Sequence, residues 1–134
     1  MALRHTRAAG QHGDFWVLAS FHRARYVSAV KPFFDLTGAS GAAYRFRKAT
    51  GELSPIGGNF VYVREAEDGL RVVCCGKSRS IGWVITKRAW FSDDHAQPDD
   101  LLYIRLNAGS AIRDWEHKDL LEGLPRPFVI YEID

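Results

Sequence analysis

Two short runs rich in β-branched and ring side chains, Phe60-Val61-Tyr62-Val63 and Leu70 to Cys75, flank the segment Glu65 to Gly69, which ends in Asp-Gly. Side chains of these kinds suit a pleated surface, and an Asp-Gly pair between two such runs is a strong short-range hairpin signal. An antiparallel pair is therefore predicted. It constrains the rest of the chain, because after Gly76 the periodicity changes. Ser78 or Ser80 can cap a helix through Trp90, with Ile81, Val84, Ile85, Arg88 and Ala89 on one stripe and Trp83, Lys87 and Trp90 on another. Ser92 to Asp100 reads as an acidic loop. Leu101 to Asn107 alternates Leu102, Ile104 and Leu106 with Tyr103 and Arg105, as a strand does. Ser110 then caps a helix to about Gly123, whose buried side is expected to be Ile112, Trp115, Leu120, Leu121 and Leu124. Gly123 followed by Pro125 stops it, and Phe128 to Ile133 reads as a last strand.

The expected class is α+β, a small and mostly antiparallel sheet around a strand, strand, helix, strand, helix core, with an N-terminal strand region and a C-terminal strand. At 134 residues, with 46% apolar and 13% aromatic side chains, one domain is expected over residues 1–134. Within it, residues 1–13 read as a flexible leader, 14–57 as a basic extension carrying strands, 58–124 as the core and 125–134 as the closing strand. In the extension, Phe15 to Phe21 suggests a strand and Asp35 to Gly41 a turn. Tyr44 and Phe46 alternate with Arg45 and Arg47, which gives a half-buried strand with a basic outer face.

No apolar run approaches the roughly 20 residues of a membrane-spanning helix, and the N-terminus lacks the apolar stretch of a secretory signal, so a cytoplasmic protein without a membrane partner is expected. The adjacent Cys74 and Cys75 read as reduced, buried thiols, since a bond between neighbours would be strained. His5, His12, His22, His95 and His117 show no metal-ligand spacing. Net charge is +2, but residues 1–48 hold eight Lys or Arg against two acids and the remainder ten against fourteen. That asymmetry suits phosphates, with Tyr and Phe rings for stacking, or an acidic protein partner. Gly76-Lys77-Ser78 is not a nucleotide-binding P-loop, because Val72 stands where the motif needs a glycine.

The order of elements from Gly58 to Leu124 resembles the GIY-YIG nuclease domain, over about half of the chain. Gly58-Asn59-Phe60 stands at the first motif of that family, Cys74-Cys75-Gly76 at the second, and Gly76-Lys77-Ser78 is similar to the segment that often comes after it. The resemblance implies a tyrosine to help activate water, an arginine to steady the phosphate and a carboxylate to hold a divalent metal. Phe60, Cys74 and Val84 occupy the two tyrosine positions and the arginine position, while Glu116 occupies the metal position. Ile112, Glu116 and Leu120 share one helix face, so Glu116 needs a partner: either the metal or a salt bridge to Arg88, Arg105 or Arg113.

The resemblance thus implies a catalytically degenerate GIY-YIG-like domain that acts as a nucleic-acid-binding or interaction module without a cofactor. DNA or RNA would be held by Lys77, Arg79, Lys87 and Arg88 around the cleft, with Arg45 and Arg47 from the basic strand. The alternative is an atypical metal-dependent phosphodiesterase or endonuclease, in which Glu116 holds magnesium and Arg88 and Tyr62 stand in for the missing groups. A third reading is a protein-interaction or regulatory domain, with an acidic partner or a homodimer formed through Trp83, Trp90 and Phe91.

Overall fold

The computed structural model describes residues 3–7, 31–67 and 69–134, the first of these as backbone only. Strands β1 (Leu3–Arg7), β2 (Phe33–Thr37), β3 (Ala43–Lys48), β4 (Gly58–Ala66), β5 (Gly69–Ser78), β6 (Leu101–Leu106) and β7 (Val129–Ile133) join in one sheet in the order β1-β7-β5-β4-β6-β3-β2. Among the described residues two helices accompany it, α1 (Gly82–Thr86) and α2 (Ser110–Gly123). All strand pairs are antiparallel except β5 with β7, so the α+β class holds and the sheet is mixed. No helix among the described residues is long and apolar enough to cross a membrane.

The hairpin expected at Asp-Gly is β4–β5, with Ala66 opposite Gly69 and Phe60 opposite Gly76. Gly69 takes a positive φ of 134°, a conformation that glycine adopts without the penalty a side chain would carry. Because side chains alternate along a strand, β4 sends Phe60 and Tyr62 to one face and Val61 and Val63 to the other. Cys74 and Cys75 divide in the same way, both buried, and burial pushes both thiols well above their ordinary range. The first face packs Phe60, Tyr62, Ile104 and Tyr131 against Val84 and Trp90. The second packs Val61, Val63, Tyr103, Tyr44 and Phe46 against Leu120, Leu124 and Phe128.

Several expectations are corrected here. Leu3–Arg7, read as leader, is a strand on the free side of β7, where main-chain pairing needs no apolar pattern. Phe15 to Phe21 lies outside the described residues. The turn expected from Asp35 begins only at Gly38, because β2 runs on to Thr37 against β3. The helix expected to Trp90 is five residues long: β5 continues through Ser78, Gly82 and the β-branched Val84, Ile85 and Thr86 are poor helix formers, and Arg88 has a positive φ of 49°. Turns then carry Trp90 into the core instead of leaving it on the surface for a dimer. Ile85 and Arg88 are exposed, so of the expected stripe only Ile81, Val84 and Ala89 are buried.

The largest correction concerns α2. Its span matches the expectation, but Ile112 and Trp115 are 59% and 54% exposed, while Arg113, Glu116 and His117 face the sheet. The inward stripe is Arg113, Glu116, His117, Leu120 and Leu124, spaced by three and four as a helix requires, and its first turns are polar.

Candidate functional site

Where β5 ends, the chain turns through Arg79 and Ser80 toward α1, and α2 begins alongside. Ser78 Oγ donates to the Ser80 carbonyl and accepts from the Ser80 N–H, closing this turn tightly. Lys77, Ser78, Arg79, Ser110, Arg113, Asp114 and Asp134 line a pocket of about 190 Å³ at this point. Lys77 Nζ donates to Asp114 Oδ1 at 2.7 Å, a bond that holds the Asp114 carboxyl below the usual range. On the other side of the strand end, Lys87 Nζ donates to the Asp134 carbonyl at 2.9 Å. Two cations lie over the Trp83 ring, with Lys87 Nζ at 4.3 Å and the Arg79 guanidinium carbon at 5.9 Å from its centroid.

Two of the expected cationic residues, Lys77 and Arg79, therefore line this pocket, and Lys87 reaches its rim through the Asp134 carbonyl and the Trp83 ring that it shares with Arg79. Arg113 joins them. Its Nη1 donates to the Asn107 and Ala108 carbonyls at 2.9 and 3.2 Å, and its own carbonyl accepts from Asn59 Nδ2 at 3.1 Å. Asn59, the middle residue of Gly58-Asn59-Phe60, is buried and also accepts from Asn107 Nδ2. The first motif thus anchors the start of α2 through hydrogen bonds. Gly57 leaves room for the Arg113 guanidinium, since a Cβ there would overlap it. At the helix start, Gly109 is the capping residue and no side chain caps it. The first-turn N–H groups are left for water or an anion.

Other expected residues lie elsewhere. Arg88 is at the far end of α1, close enough to Tyr62 to act on its phenol electrostatically. Arg45 and Arg47 are on β3, three strand spacings or about 14 Å from β5. Arg45 pairs with Asp35 at 3.0 Å on the exposed side of that edge. These three residues do not join the Lys77 group.

Glu116, Arg88 and Tyr62 are not brought together either. Tyr62 is buried on the first face of the sheet, packed on Trp90 with centroids 5.8 Å apart. Burial pushes its phenol far up, chiefly by desolvation. Glu116 faces the second side, where Arg105 Nε donates to its Oε1 at 2.8 Å and Arg105 Nη2 to its Oε2 at 3.3 Å. Of the partners named from sequence, Arg105 is the one that holds Glu116. A magnesium ion does not fit here, since both carboxylate oxygens are engaged by a cation. Among the described residues no group of three or more His, Cys, Asp or Glu converges on a metal position.

The sequence alone presents Arg113 only as a partner for Glu116, and Trp83 only as an exposed ring. The signal that finds Arg113 is the spacing Arg113, Glu116, Leu120, Leu124, which marks one helix face whether its members are apolar or charged. Nothing in the sequence sets Asp100 apart from its loop. Its buried carboxylate accepts from Arg64 Nε and Nη2, Trp90 Nε1 and the Gln97 N–H at 2.8 to 3.0 Å. No family model, curated protein or solved structure matches the chain.

Proposed function

We propose that this chain is a GIY-YIG-like domain without the nuclease groups, and that it binds nucleic acid on the surface where β5 ends and α2 begins. The observation that carries the reading is the convergence of Lys77, Arg79 and Arg113 on one pocket, with Lys87 at its rim, beside the uncapped start of a 14-residue helix. Phosphate oxygens are the natural ligand of such a group, through ammonium and guanidinium donors and free backbone N–H groups. The pairings of Lys77 with Asp114 and of Lys87 with Asp134 are partly exposed, so exchanging them for phosphate contacts costs little.

The family reading is supported by the placement of its motifs. Phe60 of the first lies directly opposite Gly76 of the second, β4 is flanked by β5 and β6, and a helix comes after each of β5 and β6. Phe60, Cys74 and Val84 are all in the core, where Phe60 and Val84 have no titratable group and burial raises the Cys74 thiol well above its ordinary range. The scaffold keeps a cationic surface and lacks the reactive one.

Binding to DNA or RNA should fall steeply with salt. Fluorescence anisotropy of a labelled oligonucleotide at several salt concentrations measures this, with each of Lys77→Ala, Arg79→Ala and Lys87→Ala lowering the logarithmic slope by about one. No binding at low salt, or no effect of these substitutions, would overturn the proposal.

A further inference from the structure

The cations of the candidate site are not held alike. Lys77 is bound to the Asp114 carboxylate, Lys87 to the Asp134 carbonyl, and Arg113 to the carbonyls of Asn107 and Ala108. Arg79 also lines the pocket, yet among the described residues no acceptor takes a hydrogen bond from its guanidinium. Its backbone is fixed, since the Arg79 N–H donates to the Ile133 carbonyl at 3.2 Å. What the structure sets beside its side chain is the Trp83 ring.

The position of that ring follows from the sequence. Trp83 stands four residues after Arg79 and four before Lys87. It belongs to α1, where it is half-buried and packs against the first-face core, so the indole is anchored. The Lys87 N–H donates to the Trp83 carbonyl at 2.9 Å, which places Lys87 one helical turn further along. The two cations over the ring thus come from opposite ends of α1, one from the turn that leads into it and one from the residue that caps its C-terminus.

An aromatic face attracts a cation without consuming its hydrogen-bond donors, so the guanidinium keeps its N–H groups for an acceptor. A long side chain held in this way has less freedom left to lose when a ligand binds. A phosphate can take the Arg79 donors without displacing a carboxylate or a carbonyl, which is not so at Lys77, Lys87 or Arg113.

We infer that Trp83 is a positioning residue of the phosphate pocket: it holds Arg79 and Lys87 in place by cation–π attraction, and Arg79 offers the phosphate its uncontested donors. This rests on the nucleic-acid reading above and deepens it. The ring acts on the cations and not on a base, so its effect is the same for single-stranded and double-stranded ligands.

The test measures anisotropy of a labelled 20-nucleotide single strand and of its duplex at several salt concentrations, for the full chain and for Trp83→Leu, Trp83→Phe, Arg79→Ala and the double variant Trp83→Leu with Arg79→Ala. Trp83→Leu keeps an apolar side chain without a π face and should weaken both ligands roughly 3- to 10-fold, with the salt slope unchanged because no charge is lost. Trp83→Phe should keep most of the affinity. In the Arg79→Ala background the loss from Trp83→Leu should shrink, so the two losses are not additive. Additive losses, equal losses for Trp83→Phe and Trp83→Leu, or a loss confined to the single strand overturn the positioning role. If Arg79→Ala lowers the slope while Trp83→Leu changes nothing, the inference fails and the phosphate reading stands. Failure of the unaltered chain to bind either ligand at low salt overturns both. Trp83 touches the core, so urea unfolding checks that each variant is folded under the binding conditions. Trp83→Phe and the non-additivity decide the question where Trp83→Leu is not.

Discussion

Under α1, Phe60, Tyr62, Trp90 and Tyr131 meet as rings at offset or edge-on angles, with centroids 5.8 to 6.3 Å apart. Under α2, the helix meets the sheet first through Arg113, Asn59, Glu116 and Arg105 and only later through Leu120 and Leu124. Asp119 extends the polar seam outward, accepting from Ser40 and from the Tyr44 hydroxyl at 2.7 and 2.8 Å. One side of the sheet is closed by apolar burial, which is strong and non-directional. The other is fixed by hydrogen bonds whose net worth is smaller but whose geometry is specific. The candidate site belongs to the second side, where the start of a helix is positioned by named donors and acceptors.

The contrast can be broken most sharply at Trp90. It is 1% exposed, and Trp90→Ala should cost about 3–5 kcal/mol, read as a lower urea midpoint. Asp100→Asn comes next, at about 2–3 kcal/mol, because it strands the guanidinium of Arg64 beside the same core. A substitution of similar size tests the close packing of the motifs: a methyl at Gly76 would overlap the Phe60 ring and the Tyr131 carbonyl. Gly76→Ala should cost about 1–3 kcal/mol by overpacking. On the α2 side, Glu116→Gln should cost only about 1–2 kcal/mol by urea unfolding, because the amide oxygen still accepts from Arg105, and Glu116→Leu about 2–3 kcal/mol, since it leaves the partly exposed Arg105 guanidinium unpaired. A loss for Glu116→Leu as large as for Trp90→Ala would erase the distinction between the two sides.

The smallest effect expected is that of acid. Burial acts to raise the Asp100 carboxyl, but its bonds from Arg64, Gln97 and Trp90 outweigh burial and hold it below the ordinary 3.8. The bonds from Ser40 and Tyr44 hold Asp119 low in the same way. A carboxylate lowered by folding contributes stability in full above its unfolded value. That contribution is lost as pH falls through the folded one. Urea midpoints should therefore be level above about pH 5 and decline below about pH 4, with a shallower decline in Asp119→Asn.

The apolar side of this comparison was largely legible in the sequence. Phe60 to Val63, Leu70 to Cys75 and Leu102 to Leu106 carry strand-forming patterns, and each is a strand of the centre. The polar side was not. Periodicity finds a helix face but does not say which face turns inward when both carry candidates, and in α2 Ile112 and Trp115 competed with Arg113 and Glu116. The deciding groups, Arg105, Asn59 and the Asn107 carbonyl, lie on other elements. The site was legible in the same proportion. Lys77, Arg79 and Lys87 form a group by their nearness in sequence, while Arg113 reaches the pocket from α2. Arg88 is separated from that group by a helix that stops early at Thr86, where β-branched residues and a left-handed Arg88 outweigh the apolar stripe.

The parallel pairing of β5 with β7 has a consequence in time. β7 lies between β1 and β5, so the strand nearest the C-terminus of the sequence is inserted within the sheet, and Leu3 pairs with Ile133. As the chain leaves a ribosome, β4, β5 and β6 can assemble from neighbouring segments, but one side of β5 stays unpaired until residues 129–133 emerge. The final docking of β7 and then β1 closes the longest loop in the molecule. That step should set the rate of folding, with the hairpin and α2 already in place.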